Sequence, residues 1–252
     1  MSTPAILRVP ALLLLAATAF ALRANPSPGR AVPAEDALRL LLDGNRRFVA
    51  GQAVHFQQDA LRRHVTAVEG QKPFAVVLTC SDSRVPPELL FDQGIGCLFV
   101  VRVAGNVART DEVATVEYGV GHLGARLVLV LGHTRCGAVT AVVEEAHVGP
   151  NLAQLVGPVA PAAARARAAN PGLHGAPLVE AAVRANVEQA IADLTRLSPE
   201  LAHAVELGET RLVGAIYDLE TGEVQLLDPA ARAPAENPAE WAPRPSPTPH
   251  SH

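Results

Sequence analysis

The sequence predicts an α/β protein. A mostly parallel sheet of four strands, in the order 2-1-3-4, carries an antiparallel strand at one edge, helices on both faces and an N-terminal helical arm. Three observations carry the fold class and its strands, though not their order. Apolar runs alternate with segments of helical spacing along most of the chain, which is the pattern of β-α units. The first three runs, "FAVVLT", "CLFVVRV" and "RLVLVLG", are nearly continuously apolar, as expected for parallel strands covered on both faces. The fourth, "RLVGAIYD", is followed by "LETGEVQLLD", where Thr221 and Gly222 mark a turn back into an edge strand.

The elements follow in chain order. Residues 1–24 place Arg8 before an apolar run over 11–22. That run is too short to span a bilayer easily. It reads as a signal-peptide core with "AFA" at 19–21 as the cleavage site. Export to a bacterial periplasm or out of the cell is therefore expected, with no stable membrane anchor after cleavage. Residues 25–33, "NPSPGRAVP", form a linker. Residues 34–51 have Leu38, Leu41, Leu42, Phe48 and Val49 at helical spacing and end at Gly51. Because this helix precedes the first strand, its apolar stripe is expected to pack on a partner subunit, giving a homodimer or a multiple of it. Strands are expected at 74–79, 97–103, 126–132 and 211–218. Helices are expected at about 86–91, 111–123, 136–147 and 177–196. Residues 148–176, rich in Pro, Ala and Gly, read as an excursion. Residues 229–252 have many prolines and no apolar period, as in a disordered tail. One domain, residues 34–228, remains.

Composition sets outer limits. Of 252 residues, 49% are hydrophobic and 18% charged, which is globular rather than disordered. A net charge of −4 without a basic run gives no footprint for nucleic acid. The three cysteines, Cys80, Cys97 and Cys136, make a poor disulfide framework because the count is odd. In an oxidising compartment free thiols need protection, and metal coordination supplies it by occupying the sulfur lone pairs.

Two stretches carry chemistry. "TCSDSRVPPE" sets Cys80, Asp82 and Arg84 at alternate positions directly after the first strand. "VLGHTRCGAV" sets His133 and Cys136 three apart directly after the third. The carboxyl edge of an open α/β sheet hosts ligand sites where strand order reverses. If the first and third strands are neighbours, the two stretches meet there, and Gly132 and Gly137 would let the turn pass close to another backbone. Two thiolates and an imidazole suit zinc, and three protein ligands leave a fourth position for water. Cys97, outside both stretches, is expected to be a small buried hydrophobe. Two other readings stand beside this one. Cys80 as a nucleophile with His133 as base leaves Cys136 and Arg84 without a role. A Cys80–Cys136 disulfide leaves His133 and Arg84 without one.

"CSDSR" followed by "GHTRCG" resembles the β-class carbonic anhydrases. The resemblance runs from about Asp36 to Asp228 and includes "FVVRVAGN" and "VEYGVGHL". It implies zinc, one per chain, on Cys80, His133 and Cys136, with Asp82 and Arg84 as a catalytic dyad. Asp82 becomes a further zinc ligand only in a closed state. A substrate pocket at a dimer interface is also implied, where Gln71, Phe99 and Tyr118 match family positions. Arg102 matches an arginine that belongs to a regulatory bicarbonate site in some members. Members that switch with bicarbonate carry a tryptophan three residues before the first cysteine. Here that residue is Val77, and Gln71 matches the non-switching pattern.

The implied activity is reversible hydration of CO2 to bicarbonate and a proton by zinc-bound hydroxide. Hydrolysis of carbonyl sulfide or carbon disulfide at the same zinc is a second reading. A non-catalytic zinc-dependent interaction module is a third, though structural zinc needs neither Asp82 nor Arg84.

Overall fold

The computed structural model describes residues 31–228. The expected signal peptide, most of the linker and the Pro-rich tail lie outside the described residues. Five strands, β1 (Ala75–Thr79), β2 (Leu98–Arg102), β3 (Leu127–His133), β4 (Arg211–Tyr217) and β5 (Val224–Leu226), form one sheet in the order β2-β1-β3-β4-β5. The first four are parallel and β5 is antiparallel, as the sequence predicts. β1 lies between β2 and β3, so strand order reverses at β1. In register, Thr79 pairs with Leu131, and the segments after β1 and at the end of β3 share one edge. His133 is the last residue of β3 rather than a loop residue beyond it.

Side chains on a strand alternate between faces, and the core divides accordingly. Ala75, Val77, Leu127, Leu129 and Leu131 point to one apolar cluster, while Val76, Leu78, Val128 and Val130 point to the other. The helices are α1 (Ala34–Val49), α2 (Ala60–Glu69), α3 (Pro87–Leu90), α4 (Thr110–Glu117), α5 (Gly137–Val143), α6 (Pro150–Val156), α7 (Val159–Ala169), α8 (Gly175–Leu197) and α9 (Pro199–Glu206). The predicted helix at 111–123 is α4 followed by a π-helical turn, Tyr118–His122. Gly119 and Gly121 there weaken α-helical preference. The predicted helix at 136–147 stops at Val143.

Two expectations about packing are corrected. Helix α1 packs much of its apolar stripe on its own chain, with Leu42 and Phe48 half-buried and Val49 exposed. Ala37, Leu38 and Leu41 are buried in the same cluster as Ala75 and Leu127 of their own chain. Asn45 on the same helix donates to the carbonyls of Leu90 (3.1 Å) and Gly222 (2.9 Å) and accepts from the N–H of Val224 (2.9 Å). A buried amide so satisfied fixes α1 to its own sheet. Residues 148–176 are not a plain excursion either, because they hold α6 and α7. Ala162, Ala163 and Ala166 of α7 are buried. Alanine is the best helix former, and its small side chain lets α7 lie close to α8.

Helix α2 also falls outside the predicted helices, although Asp59 caps it by accepting from the N–H of Arg62 at 2.7 Å. Its apolar residues Leu61, Val65 and Val68 fall at i, i+4 and i+7, one face of a helix. No residue of α2 is buried, and Leu61 and Val68 are each 70% exposed.

Candidate metal centre

β1 and β3 deliver the centre. Cys80 follows the last residue of β1, His133 ends β3, and Cys136 is the residue before α5. All three are buried, and their ligand atoms lie within 4.8 Å of one another. Among the described residues this is the one such group of His, Cys, Asp and Glu. The two sulfurs are 4.0 Å apart. Two sulfurs held at about 2.3 Å on a tetrahedral ion stand about 3.8 Å apart, so the spacing suits zinc. It is twice the length of a disulfide bond, and the cysteines are free.

The imidazole is set for ligation. His133 Nδ1 lies 2.9 Å from the carbonyl of Thr134. A carbonyl only accepts, so Nδ1 carries the proton and Nε2 presents its lone pair. That Nε2 is fully buried and has no protein partner. An orphaned buried acceptor facing two sulfurs is costly unless a cation completes it. The Thr134 carbonyl is itself held in place. The Thr134 N–H donates to Tyr217 O at the end of β4 (3.0 Å), and Thr134 Oγ1 accepts from the N–H of Leu219 (3.0 Å).

The thiols differ in their electrostatics. Cys80 is pulled well below the ordinary thiol value, chiefly by the Cys136 thiol, and further by His133 and the Gly105 N–H against burial. Cys136 is pushed up, chiefly by the Cys80 sulfur and then by burial. The two sulfurs therefore act on each other in opposite directions, which favours a thiolate at Cys80 beside a thiol at Cys136. A dication between them would favour both thiolates, because it offsets their mutual repulsion.

Asp82 and Arg84 form a two-pronged pair. Arg84 Nε donates to Asp82 Oδ1 (2.9 Å), Nη2 to Oδ2 (2.7 Å), and the Arg84 backbone N–H to Oδ1 (3.0 Å). The Arg84 hydrogen bonds hold the Asp82 carboxyl below the usual carboxylate range against a smaller opposing effect of burial. Asp82 Oδ2 is 3.9 Å from His133 Nε2, so an ionised carboxylate borders the three ligands. Arg102 is engaged with the same loop. Its Nη2 donates to the Asp82 carbonyl (2.7 Å) and its Nε to the Cys80 carbonyl (3.3 Å).

The implied pocket residues are not gathered at this centre within one chain. Phe99 pairs with Val76, four residues before Cys80 on β1. Its ring packs against Tyr118, centroids 5.8 Å apart. Tyr118 is 46% exposed, and Gln71 is exposed directly after α2. Val77 is fully buried in the sheet core. The glycine expectation is also corrected. Gly132 sits where an added Cβ would meet Val187 Cγ2 of α8 at 2.6 Å, and Gly137 has nothing within 4 Å. Gly132 therefore admits a helix side chain, not another backbone. Cys97 is buried away from the centre, and its thiol donates to Gln57 Oε1 at 3.1 Å.

Sequence reasoning missed one layer around the candidate ligands. The N–H of Gly105, in a short 3₁₀ turn (Ala104–Asn106) after β2, donates to Cys80 Sγ at 3.3 Å. Asn186 of α8 donates to the Gly105 carbonyl at 2.7 Å. The signal was an asparagine on an otherwise apolar helix face, beside Val183, Val187 and Ala190.

Comparison with known proteins agrees with this geometry. A family model described as carbonic anhydrase matches residues 75–224. A carbonic anhydrase of Mycolicibacterium smegmatis is 38% identical over 194 residues, covering 75% of this chain and 91% of that protein. Carbonic anhydrase 2 of Mycobacterium tuberculosis is 36% identical over 196 residues, covering 76% and 92%. Among solved structures, the β-carbonic anhydrase CcaA superposes with a TM-score of 0.62 at 28% identity, covering 78% of this chain and 97% of that one. The matched region runs from the start of β1 to the first residue of β5 and holds all three converging side chains, so the chain belongs to the β-class carbonic anhydrases, enzymes of reversible CO2 hydration.

Proposed function

We propose that Cys80, His133 and Cys136 hold one zinc ion per chain and that CO2 is hydrated beside it, with Asp82 and Arg84 as the working dyad. The observation that carries this is the orphaned His133 Nε2, buried and facing two sulfurs 4.0 Å apart. Zinc bound by three protein ligands supplies a water that is deprotonated near neutral pH. The chain's own residues do the rest. Asp82 stays ionised, and its Oδ2 is placed to accept a hydrogen bond from the nucleophile and orient it. Arg84 fixes that carboxylate through both oxygens. The net change is CO2 and water to bicarbonate and a proton.

The test is metal analysis with stopped-flow CO2 hydration. One zinc per chain and hydration far above buffer are expected, with slower turnover of carbonyl sulfide and carbon disulfide. Faster turnover of the sulfur compounds would move the substrate. Zinc-replete protein no faster than buffer would leave an interaction module.

The pocket and assembly belong to the same proposal. Gln71, Phe99 and Tyr118 stand outside the centre of their own chain, so a second copy is the surface that brings them to it. The α2 stripe of exposed Leu61 and Val68 with half-buried Val65 is the apolar face for that contact. The exported location rests on residues 1–24 alone. Native mass spectrometry of protein from its host should show a dimer or a multiple of it, beginning near Leu22 to Asn25. Leu61→Asp with Val68→Asp should shift it to monomer and lower activity. A wild-type monomer at micromolar concentration contradicts the assembly, and a retained Met1 contradicts the export.

A further inference from the structure

We propose that Asn186 is a positioning residue for the metal centre, acting through the Gly105 turn on the Cys80 sulfur; this rests on the zinc reading above. The inference starts from backbone conformation. Gly105 has φ 76° and the next residue, Asn106, has φ 43°. Glycine and asparagine are the residues that enter the left-handed region most readily, so the sequence permits this turn and its contacts select it. Such a turn persists where its surroundings determine it. Two contacts do so here. The Asn106 N–H closes the turn on Val103 O at 3.0 Å, and the Asn186 amide grips Gly105 O at 2.7 Å.

Asn186 is 2% exposed, on the face of α8 that carries Val183, Val187 and Ala190 into the core. A buried amide donor on an apolar helix face is retained at a cost unless it is bonded. Its partner lies 81 residues earlier in sequence. The consequence is at the sulfur, because a turn held this way aims the Gly105 N–H at Cys80 Sγ.

The direction of the effect follows from the chemistry. A thiolate that accepts an N–H bond gives less electron density to its metal. Two thiolates already offset the charge of a zinc dication, so each withdrawn increment keeps the ion a stronger Lewis acid. Hydrogen bonds to ligating sulfurs tune metal centres in this way. Asn186 touches neither metal ligand nor substrate, so its action is through Gly105.

The experiment compares wild type with Asn186→Leu, of similar size but without a donor, and with the smaller Asn186→Ser. Zinc and cobalt(II) forms are both prepared. In wild type the Cys80 thiolate is stabilised by Gly105. In the variants the thiolate-to-cobalt charge-transfer band should move to longer wavelength, and kcat of the zinc form should fall about tenfold or more, the range for partners of metal ligands. Metal should remain at one per chain when supplied in excess. An unmoved band and unchanged kcat, with only a lower Tm, would show a structural role and overturn the proposal. Should neither variant fold, cadmium-113 wild type decides. Scalar coupling from the metal to the Gly105 amide proton is expected, and its absence overturns the proposal. Failure of the zinc reading would look different, as wild-type protein that takes up no stoichiometric metal.

Discussion

Cys80→Ser, His133→Ala and Cys136→Ser are each expected to strip most of the zinc and with it nearly all CO2 hydration, a loss on the order of a thousandfold or more. Three ligands are the minimum that holds the ion while leaving a position for water. The centre has no spare among the described residues, since the nearest further acid, Asp82, is committed to Arg84 through both oxygens. His133→Ala also removes a fully buried ring, so thermal unfolding should be recorded beside metal content. The serine variants change little volume and isolate the loss of sulfur. Cys97→Ala is the internal control. Cys97 bonds Gln57, not the cluster, so zinc per chain and kcat should match wild type while Tm falls slightly. Full zinc in any of the three ligand variants would refute the assignment.

Arg84→Ala should lose most activity, about a hundredfold, while keeping its zinc. The physical reason is the carboxylate beside the ligands. Asp82 Oδ2 lies 3.9 Å from His133 Nε2, close to the ligand set, and of its three bonds from Arg84 the alanine variant keeps only the backbone N–H to Oδ1. With Arg84 gone, Asp82 is expected to turn onto the metal and take the position that water needs. Crystals of the zinc-loaded variant would show Asp82 as a fourth ligand, and a double change with Asp82→Asn would keep that position free. A fully active Arg84→Ala protein sinks the dyad. The sign of the pH dependence follows from the same pair. Asp82 is depressed below its unfolded value, so its contribution is complete above the ordinary carboxylate pKa of about 3.9. It is lost only as pH falls through the lower folded value. The pair is therefore intact throughout the neutral range.

Much of this protein could be read directly. The strand runs, and the placement of Cys80 and His133 at strand ends, follow from local hydrophobic pattern and from the position of polar residues after each run, whereas the pairing of β1 with β3 that brings Cys80, His133 and Cys136 together belongs to the tertiary structure. Parallel strands buried on both faces leave a strong signal, and ligands at strand ends inherit it. Helix α9 lies outside the predicted helices although it carries a local start signal, Ser198 before Pro199, with the Ser198 hydroxyl accepting from the N–H of Leu201. Other features depend on what lies far away in sequence. Whether α1 covers its own sheet or a partner was decided by Asn45 meeting Leu90 and Val224. The exposed stripe fell instead to α2. Phe99 and Tyr118 lie in the motifs between the two that carry the candidate ligands, yet stand apart from them in one chain, because motifs that are neighbours in sequence need not meet in space. The layer that holds the Cys80 sulfur joins three segments, β1, the turn after β2, and the middle of α8. No local rule predicts it, because the hydrogen bonds of a left-handed turn are supplied only when the helix packs across it.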